Sequence, residues 1–135
     1  MHSSVTFEAY VAGLLAEFAL SQSLRQRIWI VEREQKIFGT VAVAEHSQEE
    51  AQFRWLLVDL STRGEGLGRR LAENAIEFSR TSGYQSIFLW TVGTLTAAAS
   101  LYVSFGFKIT EEKTHEIWGK QLTEQRYDLE LNPSS

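Results

Sequence analysis

Residues 53 to 80 read FRWLLVDL, then STRGEGLGRR, then LAENAIEFSR. An apolar run enters a glycine turn, and a segment with apolar residues three and four apart leaves it. Three of the nine glycines in the chain, Gly64, Gly66 and Gly68, stand at alternate positions in that turn, framed by Arg63, Arg69 and Arg70. A strand, a tight turn and a helix in direct succession belong to an α/β unit. At such a turn, unpaired backbone N–H groups and the positive end of the helix dipole point at whatever sits there. Residues without side chains tolerate positive φ and let an anion approach to hydrogen-bond distance. The alternative is a tight turn with no ligand. Two phosphate loops are excluded. No Gly-Lys-Ser/Thr follows, and the dinucleotide pattern G-x-G-x-x-G would need its third glycine at Arg69 or Leu71.

The remaining segments organise around this unit. Residues 6 to 20 place Phe7, Val11, Leu14, Leu15 and Phe18 on one helical face. The run RIWIVEREQKIFGTVAVAEH reads as two strands, about 27–34 and 37–45, joined by a turn near Gln35. A third strand spans 51–58 and a helix about 66–81, with Leu67, Leu71, Ala75 and Phe78 facing the sheet and Gly83 closing the helix. SIFLWTV is apolar nearly throughout, as in a strand buried on both faces. LTAAASLYVSF forms a second helix ending at Gly106, followed by a strand at about 107–112, a polar loop containing His115, and a last strand around 124–131. No repeat or linker interrupts residues 1–135, which read as one α/β (α+β) domain with a mixed sheet.

Composition narrows the function. A chain of 135 residues can bury a core without staples. It holds no cysteine, so disulfides, thiolate metal sites and thiol nucleophiles are out. His2, His46 and His115 lack ligand spacing, so no metal is expected. A net charge of −4 argues against a general nucleic-acid partner. Glu8 and Glu17 occupy the first 20 residues, without the basic start of a signal peptide, and no apolar run approaches a membrane span. A cytoplasmic protein with neither membrane nor nucleic-acid partner is expected.

Arg63, Gly66 and Gly68 also make the pattern R-x-x-G-x-G after a strand, which resembles the acyl-coenzyme-A motif of the GNAT superfamily of N-acetyltransferases. SIFLWTV followed by AAASLYVSFGFKIT is similar to that family's later strand, its helix with Leu-Tyr and the Gly-Phe after it. The two motifs stand in the family's order over residues 51 to 112. The tail WGKQLTEQRYDLEL and the start FEAYVAGLLAEF most resemble the acetyltransferase domain that in some bacterial proteins follows a MarR-type winged helix. The resemblance implies a central mixed, mostly antiparallel sheet flanked by helices, here without the family's usual first strand and first helix.

It also implies roles. Acetyl-CoA is the co-substrate. Its pyrophosphate lies on the backbone of Gly64, Glu65, Gly66, Leu67, Gly68 and Arg69, with Arg63 bracing the turn and Arg69 and Arg70 able to add charge. Its pantetheine arm pairs with the backbone of Leu56, Leu57 and Val58, and a backbone N–H there is the expected oxyanion donor. An amine with a pKa of about 10 must lose a proton before attacking the thioester. Tyr102 takes the family's position for the acid that protonates the departing thiolate. The general base is open. Gln52 stands where some members carry a glutamate, Glu45 is a possible substitute, and Leu95 replaces a frequent asparagine.

For the acceptor, Arg54 interrupts an apolar strand and by alternation shares a face with Gln52 and Leu56. Buried there, it needs an anionic partner, either an internal carboxylate or that of a substrate. Trp90, with Trp55 and Trp118, lines a pocket or belongs to the core. The expected activity is transfer of an acetyl group to a small-molecule primary amine. The alternatives are a protein lysine or N-terminal acetyltransferase, and a non-catalytic acyl-CoA-binding module. An edge strand near 27–34 also predicts a homodimer.

Overall fold

A computed structural model describes residue 12 and residues 24–62, 64–92 and 96–131. The helix expected over residues 6 to 20 therefore lies outside the described residues, as do Arg63 and Leu95. Six strands make one sheet: β1 (Arg27–Arg33), β2 (Lys36–Glu45), β3 (Glu50–Val58), β4 (Ser86–Val92), β5 (Lys108–Ile117) and β6 (Lys120–Glu130), in the order β1-β2-β3-β4-β6-β5. Among the described strands only β3 and β4 run parallel. The crossover between them is helix α1 (Leu67–Thr81), and α2 (Thr96–Ser104) links β4 to β5. This is the mixed, mostly antiparallel α+β sheet expected from the sequence.

Helix α1 forms where its apolar spacing demands. Leu67, Leu71, Ala75 and Ile76 are buried on β2 and β3, with Phe78 packed at their margin. Each such large side chain contributes roughly 1.5–3 kcal/mol when fully buried. The approach is close because β2 has Gly39 beneath it: a Cβ there would stand 3.0 Å from Leu71 Cδ1 and 3.2 Å from Leu67 Cδ2. The helix stops at Ser82–Gly83, where Gly83 takes φ 91° and the Tyr84 N–H donates back to Ser79 O at 3.2 Å. Helix α2 closes in the same way at Gly106, with the Phe107 N–H donating to Tyr102 O at 3.1 Å. The core lies between the helices and one sheet face, and includes Val41, Val43, Phe53, Leu71, Leu89, Tyr102, Phe107 and Tyr127.

Two expectations need correction. The polar loop after residue 112 is strand: β5 runs on to Ile117 and turns through Trp118–Gly119 (φ 54° and 78°) into β6. Both central residues at positive φ make the tight turn that suits hairpin twist. β5 is exposed at all ten positions, so it shows no apolar alternation. Cross-strand pairs hold it instead: Thr114 with Thr123 at 3.2 Å, His115 with Glu124 at 2.9 Å, and Gln125 donating to Glu112 at 2.7 Å. Trp118, at the tip, is 98% exposed and belongs to neither core nor pocket.

The second correction concerns β3. Thr40 pairs with Leu57 but Ala42 pairs with Arg54, so β3 carries one extra residue between positions 54 and 57. That bulge breaks the alternation. Arg54 and Leu57 share the face opposite α1 and α2, while Leu56 and Val58 pack against the core. Arg54 is exposed rather than buried.

Candidate active site

β3 and β4 pair at only three positions, Glu50↔Ser86, Ala51↔Ile87 and Gln52↔Phe88. Beyond them β3 stays with β2 as far as Gly39↔Val58, and β4 stays with β6 as far as Val92↔Glu124. The sheet therefore opens into a wedge between residues 53–58 and 89–92. The bulge in β3 begins just past the last shared pair, and a bulge bends its strand and sharpens its twist. On both walls, backbone N–H and C=O groups face the gap without a strand partner. Such an edge takes an extended ligand as an added strand. Leu56, Leu57 and Val58 lie on this wall, half-buried.

The glycine turn sits at the wedge's mouth. Gly64 and Gly66 adopt φ 90° and 76°, and beyond their chain neighbours no atom of the described residues lies within 4 Å of the place a Cβ would occupy on either. Gly66 is the N-cap of α1, and no side chain caps the helix. Its carbonyl accepts the first helical bond, from the Arg70 N–H at 3.1 Å. The amides of Leu67, Gly68 and Arg69 belong to the turn that has no intrahelical acceptor. No acidic residue occupies the first turn of α1. The Glu65 carboxylate just before it is held by Arg33 Nη2 at 2.8 Å. The cradle thus combines open space with unclaimed donors. The Arg69 side chain is otherwise engaged: it donates to Ser104 Oγ at 2.9 Å and lies over Phe105, tying α1 to α2.

Tyr102 projects from α2 into the helix-covered face. Its ring packs on Phe107 and Tyr127, with centroids 5.8 and 5.6 Å away. Burial, with a smaller contribution from Tyr127, pushes its pKa up to about 12, so it keeps its proton at neutral pH. Its hydroxyl has no hydrogen-bond partner among the described residues, yet it is not among their sealed, unpartnered polar atoms, where only Thr40 Oγ1 stands.

The opposite face carries Gln52, Arg54 and Trp90. Arg54 Nε donates to Gln52 Oε1 at 3.1 Å. Trp90 is half-buried, with Lys113 Nζ 4.9 Å above its ring. At the wedge's apex, reading from sequence missed a network. Arg126 from β6 forks onto Asp128 (2.9 Å through both Nε and Nη2) and reaches Glu50 of β3 at 2.8 Å. Its guanidinium lies 4.1 Å from the centroid of Phe88, and His46 meets the same ring edge-on at 4.9 Å. Burial alone would raise the Asp128 carboxyl, but hydrogen bonds from Arg126 and Thr110 and the nearby guanidinium charge hold it below its ordinary range. The bond to Asp128 in turn raises Arg126, against the opposing effect of burial. The period-two spacing of Glu124, Arg126 and Asp128 was visible in the sequence. Their partners depend on register across three strands.

Glu45 falls elsewhere. It pairs with Ala51 on the helix-covered side, away from Gln52, and its carboxylate meets Arg25 Nη1 at 3.3 Å. Among the described residues no three His, Asp or Glu gather as a metal site, and no helix is long and apolar enough to cross a membrane.

A family model described as "Acetyltransferase (GNAT) domain" matches residues 25–109. Human N-acetyltransferase 8B is 31% identical over 97 residues, which cover 68% of this chain and 43% of that protein. The N-acetylaspartate synthetase of Xenopus tropicalis is 32% identical over 115 residues, covering 76% of this chain and 42% of the relative. The chain thus spans about two fifths of the length of these curated relatives. Among solved structures, yncA from Salmonella typhimurium, determined with its cofactor acetyl-CoA, superposes with a TM-score of 0.78 at 20% identity, covering 92% of this chain and 75% of that one. That likeness is one of fold.

Proposed function

Because the chain belongs to the GNAT acetyltransferase family, we propose that it moves an acetyl group from acetyl-CoA directly to a primary amine of a small molecule. The observation that carries this reading is the wedge between β3 and β4 with an uncapped glycine turn at its mouth. The turn suits a pyrophosphate: donors converge there, and a Cβ-free surface lets an anion reach them. The wall at Leu56, Leu57 and Val58 suits the amides of a pantetheine arm, and one of its N–H groups suits a developing oxyanion.

The wedge opens to both faces of the sheet, and the two faces differ in kind. On the helix side Tyr102 holds a proton for the departing thiolate. From the other side the amine approaches past Gln52, Arg54 and Trp90, where Arg54 gives a carboxylate-bearing acceptor something to bind. A homodimer through the β1 edge and a cytoplasmic setting belong to the same proposal, the first tested by light scattering. Trp118, exposed at the hairpin tip, is the feature that favours a protein acceptor instead.

Thiol release measured across a panel of amines, amino acids and peptides tests the reading. Turnover with a small amine supports it. Turnover with peptides alone moves the assignment to a protein acetyltransferase, and acetyl-CoA binding with no turnover moves it to a binding module.

A further inference from the structure

The proposed reaction lacks a group to take the amine's proton. Gln52 has an amide where a carboxylate would serve, and Glu45 lies on the helix-covered side in an ion pair with Arg25. We propose that His46, oriented by Glu50, is the base that deprotonates the acceptor amine; the inference rests on the acetyltransfer reading above.

His46 stands in the loop between β2 and β3, 54% exposed and therefore open to solvent and substrate. Its ring abuts Phe88, which pairs with Gln52 in the last shared step before the sheet splits. It is thus at the apex of the wedge. Its Nε2 is 3.9 Å from Glu50 Oε1, while the other oxygen of that carboxylate is fixed by Arg126 at 2.8 Å. A carboxylate pinned in this way gives the ring a stationary partner that sets its orientation. Among the described residues, the charged groups recorded around His46 are Glu50 from β3 and, behind it, Arg126 and Asp128 from β6, and β4 meets it with the Phe88 ring. The other imidazole described, His115, is on β5, beyond β6 and roughly 10 Å from β4 at the usual strand spacing.

The protons balance. The acceptor arrives as an ammonium and gives one proton, through water, to His46, which releases it to solvent. The free amine forms the new C–N bond as the C–S bond breaks. Tyr102 protonates the thiolate, and the second proton lost from nitrogen as the amide forms restores Tyr102.

The test is the pH profile of kcat/KM for thiol release, with acetyl-CoA-induced Tm shifts recorded for every variant. Wild type should gain activity with rising pH, and His46→Asn should lose roughly 10²-fold at neutral pH while keeping its Tm shift. Its deficit should narrow toward the amine's own pKa, where solvent supplies free amine, and added imidazole should restore part of the rate. Glu50→Gln should lower the rate in the same direction as His46→Asn and by less. A His46→Asn profile parallel to wild type at all pH values, or loss of the rising limb in His115→Asn instead, overturns the assignment. A wild type that is inert with every amine overturns it together with the reading beneath it; an active wild type with an unaffected His46→Asn overturns it alone.

Discussion

At the mouth of the wedge the chain presents backbone. Gly64 and Gly66 hold positive φ, the first amides of α1 are uncapped, and the nearest carboxylate is tied back by Arg33. At the apex it presents side chains from several strands: His46 before β3, Glu50 on it, Phe88 on β4, Arg126 and Asp128 on β6. A backbone cradle is specified locally, by a few residues that must be glycine. A side-chain network is specified by register between segments up to 76 positions apart. The donor half of a reaction can therefore be written in one short motif while the acceptor half is spread over the sheet.

The sharpest way to break this contrast is at the turn. Gly66→Asp combines a strained left-handed residue with an anion where the pyrophosphate is proposed to lie, and should abolish acetyl-CoA's stabilising effect. That effect is about 2.7 kcal/mol at a hundredfold excess over Kd. Gly68→Ala should keep it, because a Cβ there meets Val58 and Leu101 at 3.6 and 3.7 Å, ordinary contact distances. Thermal melts with and without ligand check both. Equal loss in the two variants would mean that the glycines serve something other than backbone geometry.

Next in size is Tyr102→Phe, expected to lower kcat by about 10²-fold and leave acetyl-CoA affinity nearly unchanged in stopped-flow or calorimetric titration. The same residue, with Tyr84, has a linkage consequence. Both phenols are pushed, chiefly by burial, from 10.0 to about 12. The unfolded chain gives up those protons first, so stability should fall as pH rises from 10 toward 12, and less steeply in Tyr102→Phe.

At the apex, Arg126→Met strands two quarter-exposed carboxylates and should cost about 1–3 kcal/mol in denaturant melts. Asp128's pKa lies below its ordinary 3.8 in the fold. Its contribution to stability is present above that value and is lost as pH falls through the folded one. Wild type should show this acid loss and Arg126→Met should show less of it, because only the Thr110 hydrogen bond still lowers the Asp128 carboxyl. Smallest is a change far from both regions. Glu34 and Gln35 take φ 49° and 67° without being glycine, so Glu34→Asn with Gln35→Gly should stabilise the β1–β2 turn by about 1 kcal/mol.

What was legible follows the same division. The strand–turn–helix unit, the buried face of α1 and the β1–β2 hairpin were read from local periodicity, and the structure repeats them nearly residue for residue. The β5–β6 ribbon was not, because a strand exposed at every position has no alternation to detect. A single inserted residue in β3 turned Leu56 inward, away from the face that Gln52 and Arg54 share, which no period-two reading anticipates. Glu45 and His46 are neighbours in sequence, yet one meets Arg25 beside Tyr84 and the other meets Phe88 at the wedge.

Hydrogen exchange resolved to single amides, with and without acetyl-CoA, tests the wedge most directly. Residues 53–58 and 66–69 should gain protection together on ligand addition, while the far hairpin turn at Trp118–Gly119 stays unchanged. Unchanged exchange at both segments in millimolar acetyl-CoA, or protection confined to other parts of the sheet, would contradict the wedge as the donor site.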